Sequence, residues 1–113
     1  MTQPDVTTGL AVLEVDMLPD TPLDASMAFH QEHIGDARAM LEDASTQVLI
    51  IHLPSAAKDH DDWRRAVARD LARAYAPKRV NVMGATQGET ADSLLSYLVD
   101  APGVTGQYCP ADD

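Results

Sequence analysis

APKRVNVMG, at residues 76–84, carries the clearest structural signal in the chain. Pro77 ends the helical pattern that precedes it, and RVNVMG at 79–84 is predicted to form a buried strand. A helix that leads directly into a strand is the repeating unit of α/β domains with mostly parallel sheets. The rest of the sequence contains further segments of this kind.

Three other segments are predicted to be strands. GLAVLEVDM at 9–17 alternates apolar and polar side chains, which indicates a strand with one face in water. QVLIIHLP at 47–54 is a continuous, largely β-branched apolar run closed by a proline, which favours a strand buried on both faces of a parallel sheet. TGQYCP at 105–110 is predicted to form a short fourth strand.

The segments between these strands have helical patterns. The clearest, at 55–76, has apolar side chains at helical spacing, acidic residues near its start, and Arg69 and Arg73 towards its end, as the helix dipole favours. Further helices are predicted at 25–43, where Gly35 weakens the centre, and at 89–101.

The alternation of strands and helices predicts one small Rossmann-like α/β domain over residues 9–113. It should have two or three layers, a mostly parallel sheet of about four strands, and three main helices. The polar residues 1–8 are expected to be a frayed leader.

Composition excludes several classes of protein. The chain has 113 residues, of which 45% are apolar, so it can form a core. Its net charge of −10 repels phosphate backbones, so we expect no nucleic-acid binding. Most of the basic residues fall in one segment, which is predicted to be a solvated helix face that complements acidic neighbours or an acidic partner. These residues are Lys58, Arg64, Arg65, Arg69, Arg73, Lys78 and Arg79.

The sequence also indicates a compartment. A single cysteine, Cys109, excludes an internal disulfide and favours a reducing environment. The first residues do not have the pattern of a secretory signal, and no apolar run reaches the roughly 18 residues that span a bilayer. We therefore expect a soluble cytoplasmic protein without membrane contact.

Several segments carry a family resemblance. LARAYAPKRVNVMG at 71–84 resembles the helix-to-strand segment of short-chain dehydrogenases/reductases, with its LA, AP and RVN elements. SLLSYLVDAPGVTGQYCPADD at 93–113 resembles the last helix and strand of that family, and QVLIIHLPS at 47–55 is similar to the strand that ends in its catalytic serine. The resemblance covers roughly residues 25–110 and implies the second half of a Rossmann-like fold.

The departures from the family pattern concern its chemistry. The sequence has no TGxxxGxG or GxGxxG motif to bind a dinucleotide pyrophosphate, and no NNAG after its first strand. The catalytic tyrosine and lysine of the family fall on Ala57 and Asp61, although Ser55 aligns with the catalytic serine. The resemblance therefore implies a degenerate relative, a pseudoenzyme without catalytic residues or cofactor.

Two classes of function stay open. The first is a non-catalytic protein-interaction or self-association module. The alternative is a small-molecule or nucleotide-binding protein, or an oxidoreductase-like enzyme, that uses the crevice at the carboxyl ends of the strands. The residues expected to line that crevice are Asp16, His52, Ser55, Gly84, Thr86 and Gln87.

The order of the elements also predicts a homodimer, and another protein partner remains open. If the strands lie in simple order, right-handed crossovers put all helices on one face and leave the apolar strand at 48–53 bare on the other. The third helix, the N-terminal segment or another chain must then cover it. In the resembling family, the helices equivalent to 25–43 and 55–76 form the dimer interface. The corresponding stripe here is Phe29, His33, Met40, Trp63 and Tyr75.

Other clusters have simpler interpretations. His30 and His33 on one helix, and His60 beside two aspartates, lack the spacing of metal motifs, so we predict surface or interface histidines and no metal. GATQGET at 84–90 is interpreted as a loop before a helix cap rather than an anion cradle.

Overall fold

A computed structural model describes residues 9–111, which form a four-stranded parallel sheet with four α-helices. The strands lie in sequential order across the sheet, so the predicted α/β class and parallel sheet are confirmed. The leader predicted at residues 1–8 and the last two residues of the predicted domain lie outside the described range. The strands are β1 (Leu10–Glu14), β2 (Val48–Leu53), β3 (Arg79–Gly84) and β4 (Tyr108–Pro110).

The helices differ from the predicted ones in number and start. The helix predicted at 25–43 is two helices, because the backbone of His33 leaves the helical region with φ −124° and ψ −27°. The helix predicted at 55–76 begins at 61, after a short 3₁₀ turn at Lys58–His60. The α-helices are α1 (Pro22–Glu32), α2 (Ile34–Glu42), α3 (Asp61–Ala74) and α4 (Glu89–Val99).

The first three helices pack on one face of the sheet. Phe29 of α1, Leu41 of α2 and Leu71 of α3 are buried against side chains of β1, β2 and β3 that point to this face. The alternation predicted for β1 is confirmed, since Leu13 is buried while Glu14 is exposed. This face contains the larger of the two apolar cores.

The fourth helix packs on the opposite face. Ala91 and Leu98 of α4 are buried against Ile50 of β2 and Met83 of β3. The expectation that all helices collect on one face is therefore wrong. In a sequentially ordered parallel sheet, helices on opposite faces mean that the β3–α4–β4 crossover has the opposite hand to the two before it. The chain itself thus covers β2 on its second face.

Polar side chains of β3 explain why α4 lies there. The Arg79 guanidinium donates to the carbonyls of Leu98 and Val99 at 3.0 and 2.9 Å, and to that of Ala101 at 2.8 Å. Asn81 donates from Nδ2 to the Val104 carbonyl at 2.9 Å. A cation at the carboxyl end of a helix also interacts favourably with the helix dipole. The RVN segment therefore fixes α4 and the loop leading to β4.

None of α1–α4 is both long and apolar enough to cross a bilayer, and this holds for the whole range 9–111.

Candidate functional site

The carboxyl ends of β1, β2 and β3 meet at one edge of the sheet, where the loops that follow them form two adjoining clefts. The smaller has a volume of about 190 Å³ and lies between the loops after the three strands. It brings together five of the six residues predicted for the crevice, namely Asp16, His52, Ser55, Thr86 and Gln87. The sixth, Gly84, ends β3 beside Arg64 and Tyr108. A ligand role for these residues stays a prediction.

His52 connects the strands beneath the smaller cleft. Its Nδ1 lies 2.8 Å from Glu14 Oε2, and its Nε2 lies 2.8 Å from the carbonyl oxygen of Ala85. Both partners are acceptors, and which ring nitrogen donates depends on the tautomer. Gln87 donates from Nε2 to the same Glu14 oxygen at 2.9 Å. His52 is 5% exposed, and both of its ring nitrogens are engaged in holding the cleft together.

Ser55 lies where the two clefts adjoin. The Thr86 hydroxyl donates to Ser55 Oγ at 3.3 Å and so links the loop after β2 to the loop after β3. Ala57, on which the sequence resemblance places the family's tyrosine, lines the larger cleft. Asp61, on which it places the lysine, forms an ion pair with Arg65 at 3.5 Å. The loss of the family's proton-transfer pair stays a prediction.

The larger cleft has a volume of about 370 Å³. It lies between the loop after β1 and the start of α3, and it shares Asp16, Pro54 and Ser55 with the smaller cleft. Asp20, His60 and Arg64 are among its other lining residues.

His60 holds one wall of the larger cleft. Its Nε2 lies 2.9 Å from the carbonyl oxygen of Asp20, and the Trp63 indole donates to its Nδ1 at 3.2 Å. Since an indole nitrogen can only donate, Nδ1 is the acceptor and Nε2 carries the hydrogen. The ring therefore joins the loop before α1 to the first turn of α3. Among residues 9–111, no cluster of three or more potential ligands is placed to bind a metal.

Arg64 is the residue of this region that sequence reasoning misplaced. It was expected on a solvated basic face, but only 1% of it is exposed. Its Nη1 donates to the Pro54 carbonyl at 2.8 Å and to the Tyr108 hydroxyl at 3.1 Å. The spacing in the sequence could have indicated this burial, since Arg64 precedes the buried Val67, Ala68 and Leu71 by three, four and seven residues.

The predicted interface residues divide into two groups. Phe29 and Met40 are buried in the core, so their side chains pack inside the domain. His33, Trp63 and Tyr75 are partly exposed and remain within reach of a partner. Their assignment to an interface stays a prediction.

A surface groove lies beside Tyr75, between the C-terminal half of α3 and α2. It has a volume of about 300 Å³. The Tyr75 hydroxyl donates to Glu42 at 2.8 Å and accepts from Arg38 Nε at 2.9 Å. This hydrogen bond to Tyr75 raises the pKa of the Arg38 guanidinium above its ordinary value.

A parallel sheet with helices on both faces and a polar cleft at its carboxyl edge defines a Rossmann-like α/β protein. The family model described as short chain dehydrogenase-like protein matches residues 13–111, and the chain therefore belongs to this family. The family resemblance seen in the sequence is thus confirmed. Comparisons with curated proteins and with solved structures found no match.

Proposed function

We propose that the chain is a non-catalytic short-chain-dehydrogenase-like domain that pairs with a second copy of itself through the groove between α2 and α3. The observation that carries this proposal is the largely apolar lining of the groove. Its apolar lining residues are Ile34, Val67, Leu71, Ala74 and Tyr75.

Charges around the groove suit a symmetric pairing. Arg38 and Asp70 both line the groove and are exposed, and they carry opposite charges. In a two-fold arrangement each copy offers the same surface, so an arginine of one copy can face an aspartate of the other. Val67 and Leu71 are already buried within the chain, so the free energy of association comes from burial of the accessible parts of Ile34, Ala74 and Tyr75. The charges set the orientation.

Three features of the carboxyl edge support a non-catalytic role. Ala57 has no proton to transfer at the position of the family's tyrosine. Asp61 has the opposite charge to the family's lysine and pairs with Arg65. Both ring nitrogens of His52 lie against Glu14 and the Ala85 carbonyl, so neither is placed to accept a proton from a substrate.

The second candidate function is small-molecule binding at the carboxyl edge. It is favoured by the convergence of Asp16, Ser55, Thr86 and Gln87 on one cleft, since polar groups that meet in a concave site are typical of ligand pockets. This candidate is compatible with self-association, because the groove and the clefts have no lining residue in common.

A pair of variants tests the self-association. Ala74→Glu introduces a charge into the groove at an exposed position of α3. Ser93→Glu adds the same charge at an exposed position of α4, on the opposite face of the sheet. By sedimentation velocity, the unmodified chain and Ser93→Glu should both be dimers and Ala74→Glu a monomer. Equal sedimentation of the two variants would contradict the proposed surface.

A further inference from the structure

Arg64 is a buried cation for which residues 9–111 provide no carboxylate partner. The acids of the first turn of α3 are engaged by a different arginine, since Arg65 pairs with Asp61 at 3.5 Å and with Asp62 at 3.7 Å. Within residues 9–111, the hydrogen bonds of the Arg64 side chain run from Nη1 to two neutral oxygens. A buried charge of this kind is costly unless an opposite charge accompanies it.

The location of Arg64 adds to this cost. It lies in the first turn of α3, where the helix dipole disfavours a positive charge. The rings of Trp63 and Tyr108 lie 5.4 and 5.6 Å from its guanidinium carbon and offset part of the cost through cation–π contact. Neither ring supplies a negative charge or a hydrogen-bond acceptor for the remaining guanidinium nitrogens.

Two donor atoms of the Arg64 side chain have no acceptor in the described part of the chain. Its Nε is enclosed and has no hydrogen-bond acceptor in the described part of the chain, and Nη2 likewise forms no hydrogen bond there. Arg64 is one of the residues lining this 370 Å³ cleft. Nη2 is not among the enclosed atoms, so it is the donor that a ligand in the cleft can reach. A guanidinium N–H donates strongly to a carboxylate oxygen, and the positive charge adds to this hydrogen bond.

We propose that the larger cleft binds a small organic monocarboxylate whose carboxylate pairs with Arg64. The rest of the cleft defines the remainder of the ligand. Asp16 and Asp20 line it and are exposed, so they favour a hydroxyl or ammonium donor and oppose a second negative charge. The ligand class is therefore a hydroxy or amino monocarboxylate. This site is distinct from the groove used for self-association.

Fluorescence of Trp63 provides the test, because it is the only tryptophan and its ring lies against Arg64. The protein is titrated at constant ionic strength with sodium glycolate, and separately with glycolamide, which has the same shape without the charge. We expect a saturable change with glycolate and none with glycolamide. Equal responses to the two compounds, or no response to glycolate, would overturn the proposal. A stronger response to inorganic phosphate than to glycolate would also overturn it.

Variants assign the effect to Arg64. Arg64→Met should weaken glycolate binding by about tenfold to a hundredfold, the usual range for a lost hydrogen-bonded charge. Arg73→Met removes the same charge from an exposed position of α3 and should leave binding unchanged. Unchanged binding in Arg64→Met would overturn the assignment.

A second measurement covers the case in which Arg64→Met does not fold. The Nε–H signal of Arg64 in a nitrogen-correlated NMR spectrum of the unmodified protein should shift with glycolate and stay fixed with glycolamide; a fixed signal with both would overturn the proposal. Glycolate binding should persist in Ala74→Glu, so that failure of this proposal and failure of the proposed self-association can be told apart.

Discussion

The hydroxyl oxygen of Tyr108 lies 3.1 Å from Nη1 of Arg64, and both groups lie directly against the backbone of Gly84. This contact joins the first turn of α3, the end of β3 and the start of β4 at the carboxyl edge of the sheet. It exists only because residue 84 has no side chain. The glycine at the end of the RVNVMG strand therefore makes room for the buried arginine beside the cleft.

Gly84→Ala should lower the free energy of unfolding by about 1 to 3 kcal/mol, the usual cost of overpacking a close-packed site. A Cβ there would clash with the Tyr108 hydroxyl and lie 2.9 Å from Arg64 Nη1. Gly35→Ala is the matched control, since its Cβ meets nothing within 4 Å. Because Gly35 is the second residue of α2 and not in its interior, this change should stabilise the protein by less than about 1 kcal/mol. Urea unfolding measures both changes, and a neutral Gly84→Ala would contradict the packing described.

Arg79→Met should destabilise the protein by about 2 to 3 kcal/mol, since it removes a charged group that donates to the carbonyls of Leu98, Val99 and Ala101. Hydrogen exchange of the α4 amides should increase more than that of the α3 amides. Arg73→Met, at an exposed position, should change the free energy of unfolding by less than about 0.5 kcal/mol. Equal effects of the two variants would contradict the role of Arg79 in fixing α4.

Cys109 should make stability depend on pH on the alkaline side. Burial raises the pKa of the Cys109 thiol above its ordinary value of 9.0. The folded protein therefore holds this proton more firmly than the unfolded chain. The resulting stabilisation is fully present below the unfolded pKa and is lost as pH rises through the folded pKa. Over the pH range in which the Cys109 thiol ionises, the free energy of unfolding in urea should fall less for Cys109→Ala than for the unmodified protein. Equal falls in the two proteins would contradict this role of the Cys109 thiol.

Dinucleotides should leave the unfolding temperature unchanged. The chain has no glycine-rich phosphate loop, and the proposed non-catalytic role does not require a cofactor. A ligand at 100 times its Kd would stabilise the fold by about 2.7 kcal/mol, which a thermal-shift experiment detects. A clear shift with NAD, NADH, NADP or NADPH would contradict the non-catalytic role.

The parts of the fold that the sequence predicted are those that depend on local pattern. The segments that form β2 and β3 have the length and β-branched content of buried strands, and both were predicted within one residue of their observed ends. The crevice followed from the parallel order alone, because the carboxyl ends of such strands share an edge. The break at His33 was not predicted, although Gly35 indicated weakness in that helix.

The features that the sequence did not predict depend on contacts between distant residues. The face on which α4 packs depends on hydrogen bonds from Arg79 and Asn81 to backbone carbonyls about twenty residues later in the chain. The spacing of apolar residues in the sequence does not reveal such bonds. The burial of Arg64 in α3 depends on Gly84 in β3 and Tyr108 in β4, which are distant in the sequence. A charged residue is ordinarily predicted to lie on the surface. Only the spacing of Arg64 relative to the apolar residues of α3 indicated that it is buried.

Sedimentation equilibrium of the unmodified chain at micromolar concentration tests the proposed self-association most directly. Self-association should give a species of twice the chain mass of 12.2 kDa. A single species at the mass of one chain would contradict it.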